Sequence, residues 1–139
     1  MSLELIEITK RVGSETHIHP TSLVLPPGSF NVLLGTTLSG KTTLMQIMAG
    51  IQPPSSGRIM FNGKDVTNIA VQKRNVSMVY QQFINYPNFS VYDNIASPLK
   101  VAGMSKAEID RRVMAAADLL RLRPMLKRRP SELSGGQQQ

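Results

Sequence analysis

Gly35-Thr36-Thr37-Leu38-Ser39-Gly40-Lys41-Thr42 decides the fold, because it matches G-x-x-x-x-G-K-[ST] in the context that motif requires. Upstream, Phe30-Asn31-Val32-Leu33-Leu34 reads as a short buried strand entered through the turn signal Pro26-Pro27-Gly28. Downstream, Leu44, Ile47 and Met48 follow Lys41 with helical spacing, and Gly50 with Pro53-Pro54 stops the helix. Strand, glycine-rich loop and helix together form a phosphate cradle: the glycines let several backbone N–H groups converge, and the helix N-terminus adds its positive dipole end. Lys41 reaches for β- and γ-phosphates, and the Thr42 hydroxyl is a ligand for Mg²⁺. Average composition would produce such a string in about one chain in a few hundred, so a nucleoside triphosphate site is expected here.

Working outward, Leu3-Glu4-Leu5-Ile6-Glu7-Ile8 alternates with period two and predicts a half-buried strand, and Leu23-Val24-Leu25 predicts a second extended stretch. Arg58-Ile59-Met60-Phe61 and Lys64-Asp65-Val66 flank Asn62-Gly63, a strong hairpin signal. Val76-Ser77-Met78-Val79-Tyr80 predicts a further strand leading into Gln81. Beyond it the pattern turns helical. Ser105-Lys106-Ala107-Glu108 is a capping box, and Ile109, Val113, Ala116 and Leu120 mark one apolar face. The expectation is an α/β protein with a nucleotide-binding core over residues 1–82 and a helical sub-lobe over 83–139.

Composition agrees with a globular chain. In 139 residues, 41% are hydrophobic and 18% charged, which is too apolar for disorder. No apolar run approaches the roughly 18 residues of a membrane-spanning helix, and acids stand near the N-terminus where a signal peptide carries bases. A cytosolic chain is expected. With no cysteine there is no disulfide framework and no thiolate metal site. The net charge is +7, and residues 100–139 hold nine bases against four acids, so the basic surface is mostly C-terminal.

Leu133-Ser134-Gly135-Gly136-Gln137, taken with the Gly35 loop and with Tyr80-Gln81, resembles the ATP-binding-cassette family: its signature, its phosphate loop and its glutamine loop. The resemblance covers nearly the whole chain. Tyr80-Gln81-Gln82-Phe83-Ile84-Asn85-Tyr86-Pro87-Asn88-Phe89-Ser90-Val91 is similar to the sugar and polyol importer branch. His17-Ile18-His19-Pro20-Thr21 and Gln72-Lys73-Arg74-Asn75-Val76 are similar to glycerol-type importer ATPases.

The resemblance implies a P-loop NTPase fold of the ABC ATPase type, here its N-terminal portion with the helical sub-lobe, and ATP with Mg²⁺ as ligands. Gly35, Thr36, Thr37, Leu38, Ser39, Gly40, Lys41, Thr42 and Thr43 would cradle the phosphates. Thr42 and Gln81 would hold Mg²⁺, with Lys41 and Gln81 as the catalytic pair and Gln81 sensing the γ-phosphate. Ser134, Gly135, Gly136 and Gln137 would act in trans, covering the nucleotide of a second, head-to-tail ATPase subunit. The implied partners are transmembrane permease subunits and, indirectly, a solute-binding protein, with no nucleic acid. The implied location is the inner face of the cell membrane.

Three departures from the family pattern stand out. An aromatic residue usually stacks on adenine near position 12; this chain has Val12, which offers only an apolar contact. Thr36 replaces a frequent proline and leaves the glycines, Lys41 and Thr42 in place. The sequence stops at Gln139, before the family's second acidic strand, its adjacent glutamate and its switch histidine, so this chain alone is expected to be hydrolytically inactive. The same ending predicts low stability and solubility, through an exposed edge beside the phosphate-loop strand.

Other candidates carry less. His17 and His19 share a strand face as metal ligands can, yet no third ligand is evident, which favours a structural pair. Asp93 near a helix start is expected to complement the dipole. Lys127-Arg128-Arg129 lies beside no aromatic platform and reads as a solvated face. Tyr86, Pro87 and Phe89 either pack between sub-lobes or, by the resemblance, form the groove for a transporter's coupling helix. The leading expectation is the N-terminal part of an importer's ATP-binding subunit for a sugar or polyol. The alternatives are a non-transport ABC ATPase acting on nucleic acid and a nucleotide-binding, non-hydrolysing regulatory fragment.

Overall fold

The computed structural model describes residues 2–139. The chain divides into two compact units, one ending at Met78 and the other spanning Val79–Gln139.

The first unit is built on an antiparallel sheet of order β2-β1-β3-β4, with β1 Leu3–Val12, β2 Glu15–Leu25, β3 Ser56–Phe61 and β4 Lys64–Asp65. The alternation beginning at Leu3 continues further than the sequence suggests. Val12 pairs with Glu15 across a two-residue turn in which Gly13 takes φ 59°, so the two predicted extended stretches become one long hairpin. Pro20 lies in β2 where the register slips between the Ile8↔Thr21 and Lys10↔Ile18 pairs, a bulge being where a strand tolerates a missing N–H. The Asn62-Gly63 hairpin forms as expected, with φ of 50° and 76° at its two central residues.

A second bulge shapes β1. Glu7 has φ 49°, and the register slips there on both sides, against β2 and against β3. The backbone N–H freed by the bulge is not orphaned: Glu7 N–H donates to Ser22 Oγ at 2.9 Å, and that hydroxyl donates to Glu7 Oε1 at 2.8 Å. Gly57 of β3, at φ 91°, backs directly onto the bulge.

Helix α1, Lys41–Ala49, lies where its apolar spacing predicts and ends at Gly50, a left-handed C-cap with φ 79°. It contributes Leu44 and Ile47 to a core completed by Leu5, Ile8, Ile18 and Ile59. Beneath its C-terminus sits Arg74, only 7% exposed and, among the described residues, without a carboxylate partner. Its Nε donates to Ile69 O at 2.8 Å, Nη2 to Thr67 O at 3.0 Å and Nη1 to Met48 O at 3.4 Å. Burial lowers its pKa from the ordinary value, while the carbonyl at the negative end of α1 is a natural partner for a cation that stays charged. Replacement by methionine removes those donors from the loop and the helix end, and we expect Arg74→Met to cost about 2–3 kcal/mol. A fall in the urea midpoint checks this; an unchanged midpoint would show that the carbonyls find water instead.

Two predicted strands do not form. Phe30–Leu34 and Val76–Tyr80 make no strand, and the expected burial is also absent, with Phe30 92% and Leu34 84% exposed. A strand is a property of a pair: its ladder needs a neighbour, and among the described residues neither stretch has one.

The second unit is helical, with α2 Val91–Val101, α3 Lys106–Leu119 and a short α4 Gly135–Gln138. Its core joins Val91 and Ala96 to Ile109, Val113 and Ala117, closed by Leu126. The buried stripe of α3 therefore drifts from the predicted one. Ala117 takes the place of Ala116, which is half-buried, and Leu120 lies beyond the helix and is exposed. The predicted capping box is half made. Ser105 Oγ accepts from Glu108 N–H at 3.3 Å, but the Glu108 carboxylate turns to Arg111 and Arg112, whose bonds hold its pKa at about 2. At the start of α2, Ser90 is the cap and Asp93 stands in the first turn. The Ser90 hydroxyl and the Lys100 ammonium keep the Asp93 carboxyl below its ordinary value.

Candidate functional site

In the first unit the helix expected after the glycine-rich stretch forms, while the strand expected before it does not. Gly40 is the residue before α1 and adopts φ 84°, which turns the chain into the helix. No side chain caps this end of α1 and no acid stands in its first turn, so the leading amides lack intrahelical partners and face an environment suited to an anion. Lys41 Nζ donates to Gly35 O at 2.8 Å, to Thr36 O and to Ser39 Oγ at 3.3 Å. The ammonium thus lies across the loop, held by exposed acceptors that phosphate oxygens can replace.

Neighbouring atoms approach the loop's glycines closely. A Cβ on Gly35 would stand 2.6 Å from Ser39 Oγ, and one on Gly40 would stand 2.6 Å from Ile18 Cδ1 and 3.0 Å from His17 O. These residues suit phosphate: a concave backbone, a mobile cation and two hydroxyls, Thr42 and Thr43, on the first turn of the helix. Leu38 is the odd member, 98% exposed with φ 65°, a left-handed conformation that leucine rarely adopts.

Thr37 through Thr43 line a cavity of about 660 Å³ whose opposite wall is Glu15, Thr16 and His17 of β2. A smaller neighbouring cavity of about 380 Å³ adds His19, Leu33 and Leu34. Val12, the expected adenine contact, lines neither. His17 and His19 do share a strand face, and His17 Nε2 lies 3.8 Å from Glu15 Oε2. Among the described residues no cluster of three metal-ligating side chains occurs.

The second unit brings the two other motifs together. Gln81 is exposed, and the adjoining Tyr80 carbonyl accepts from Gln139 Nε2 at 2.8 Å. The Phe83 ring lies beside Gly135, where an added Cβ would be in ordinary contact with it at 3.4 Å from Cζ. Ser134 precedes α4, and Gln137 folds back so that its Oε1 accepts from Ser134 N–H at 3.0 Å. Gly136 has open space around it.

Between these motifs an irregular segment is held by one side chain that sequence reasoning passes over. Asn94 Nδ2 donates to Ser90 O at 3.0 Å, Tyr86 O at 3.1 Å and Phe89 O at 3.3 Å, while its Oδ1 accepts from Tyr86 N–H at 2.8 Å. The Tyr86 and Phe89 rings stack at 5.1 Å, tilted by 36°. Ile84 and Tyr86 flank an apolar groove of about 260 Å³ floored by Val91, Ile95, Leu122 and Leu133. No helix among the described residues is long and apolar enough to cross a membrane.

The family model described as "ABC transporter" matches residues 18–139. The chain is 44% identical to the spermidine/putrescine import ATP-binding protein PotA of Pseudomonas aeruginosa strain UCBPP-PA14, over 99% of this chain and 38% of that protein. It is also 44% identical to the sn-glycerol-3-phosphate import ATP-binding protein UgpC of Salmonella typhi, over 99% of this chain and 39% of the relative. With the alpha-glucoside transport ATP-binding protein AglK of Rhizobium meliloti strain 1021 it shares 42% identity, over 99% and 38%. The chain thus spans 38–39% of the length of these curated relatives. The solved dimeric structure of MJ0796, a bacterial ABC transporter cassette, superposes with a TM-score of 0.87 at 24% identity, covering 98% of this chain and 65% of that one, a likeness of fold.

Proposed function

Because this chain belongs to the ABC transporter family of ATP-binding domains, we propose that it is the ATP-binding part of an importer subunit, residues 1–82 forming the nucleotide core and 83–139 the helical sub-lobe. The observation that carries the reading is the phosphate loop: an uncapped helix start entered through Gly40 at φ 84°, and one lysine lying across the loop's carbonyls.

Lys41 exchanges the Gly35 and Thr36 carbonyls for β- and γ-phosphate oxygens, and the amides from Gly35 through Thr43 close around the chain of phosphates. Thr42 would offer its hydroxyl to Mg²⁺, and Gln81 would offer its amide oxygen and sense the γ-phosphate. When bound, the ion offsets phosphate charge. Ser134, Gly135, Gly136 and Gln137 serve in trans in a head-to-tail pair with a second ATPase subunit. That the MJ0796 cassette, whose fold this chain shares, is itself dimeric supports such pairing. Among the described residues the Glu15 carboxylate is the only one lining the loop's cavity, and it stands beside His17. The first unit binds and positions phosphate, and the 139-residue chain is expected to retain nucleotide rather than turn it over.

On this reading the apolar groove beside Ile84 and Tyr86 is the surface offered to a permease subunit, with a solute-binding protein acting further out, and the chain works at the cytoplasmic face of a membrane. Similarity to the UgpC and AglK proteins supports a sugar or polyol cargo.

Isothermal titration of the 139-residue chain with Mg-ATP and with Mg-tripolyphosphate tests the reading. We expect saturable binding of both in the micromolar range. Absence of both would overturn it.

A further inference from the structure

We propose that His17, rather than Val12, carries the nucleobase of the nucleotide held by the phosphate loop; the inference rests on the nucleotide-binding reading above. The cavity of about 660 Å³ has two walls, the loop on one side and Glu15, Thr16 and His17 on the other. The loop is committed to phosphates, which leaves the facing wall for the flat, apolar end of the ligand. His17 is the only described residue with a ring on that wall, and it also borders the adjoining cavity; among the described residues no Phe or Tyr lines either.

His17 is held at this place by the fold. Its neighbour Ile18 is buried in the core and reaches the start of α1, where a Cβ on Gly40 would lie 2.6 Å from Ile18 Cδ1. The His17 carbonyl stands 3.0 Å from the same point, so the β2 backbone is seated against the start of α1 at Gly40. Glu15 Oε2, 3.8 Å from His17 Nε2, stands on the same wall and gives the imidazole a polar partner. An imidazole face offers a base the stacking surface that a valine lacks, and such stacking tolerates any ring system of similar size. Val12 closes the far end of β1, half-exposed and away from both cavities.

The test separates the base from the phosphates. Mg-ATP and Mg-tripolyphosphate are titrated into the 139-residue chain and into its His17→Ala, His17→Phe and Val12→Ala variants. His17→Ala is expected to weaken Mg-ATP about tenfold while leaving tripolyphosphate affinity unchanged, and His17→Phe is expected to restore Mg-ATP binding. Equal loss of both ligands in His17→Ala would make the residue structural and overturn the proposal. No loss of either, or a selective loss of Mg-ATP in Val12→Ala instead, would overturn it as well. Wild-type chain that binds tripolyphosphate but gains nothing from the adenosine would sink this assignment alone; wild-type chain that binds neither sinks the nucleotide reading with it.

Discussion

Gly57→Ala is expected to destabilise the first unit by about 3 kcal/mol or more, read as a fall in the urea midpoint. Two costs combine. Gly57 sits at φ 91°, where an L side chain carries backbone strain of roughly 1–3 kcal/mol. The new Cβ would then lie 2.3 Å from Glu7 O, 2.5 Å from Glu7 C and 2.6 Å from Ile6 O. These are backbone atoms of a bulge whose spare N–H is already tied to Ser22, so they cannot rotate aside as a side chain would. Relief requires β3 to move off β1, at the seam that presses Ile59 against Leu5 and Ile8. Gly63→Ala is the internal control: its φ is 76°, yet nothing lies within 4 Å of its Cβ position, so it carries strain without the clash. Equal losses in the two variants would mean that the close approach contributes nothing.

The second large effect falls on binding. Lys41→Ala is expected to reduce Mg-ATP and Mg-tripolyphosphate affinity alike by about 100-fold. Among the described residues Lys41 is the only Lys or Arg lining the 660 Å³ cavity, so no second cation there compensates. A unit charge about 4 Å from an anion is worth ~4 kcal/mol at an effective dielectric of ~20, and solvent at an open loop screens part of that. Folding should be little affected, since the three acceptors released by the change are exposed and find water. Titration of both ligands checks the prediction. A tenfold or smaller effect would shift the main role to the helix amides, and a loss confined to ATP would place Lys41 away from the phosphates.

What can be read from the chain is what depends on neighbours in sequence. The Gly40-Lys41 turn into α1, the Gly50 stop and the Asn62-Gly63 hairpin each rest on a few adjacent residues with restricted φ, and each stands where the pattern places it. The signature's local fold is of the same kind, Gln137 answering Ser134 three residues away. Phe30–Leu34 and Val76–Tyr80 mislead because apolar, β-prone residues describe a candidate for pairing, while the partner that makes a strand lies elsewhere. The drift of the α3 stripe from Ala116 to Ala117 has a related cause, since which side of a helix is covered is decided by the element packed on it. Arg74, Asn94 and the nearness of His17 to the loop leave no periodic trace. Each acts through contacts formed only after the chain has folded back over itself, such as the reach from Arg74 to Met48.

Asn94 has a consequence for any encounter at the apolar groove. Three carbonyls and one amide of the 86–90 segment are fastened to a single carboxamide on α2, so the segment keeps one shape without belonging to a helix or a sheet. A docking partner meets a surface already rigid, and the ordering entropy that an irregular loop ordinarily surrenders on contact has been absorbed when the domain folds. Recognition there becomes a matter of fit rather than of induced order, and it weakens from this chain's side only if the fastening itself is cut.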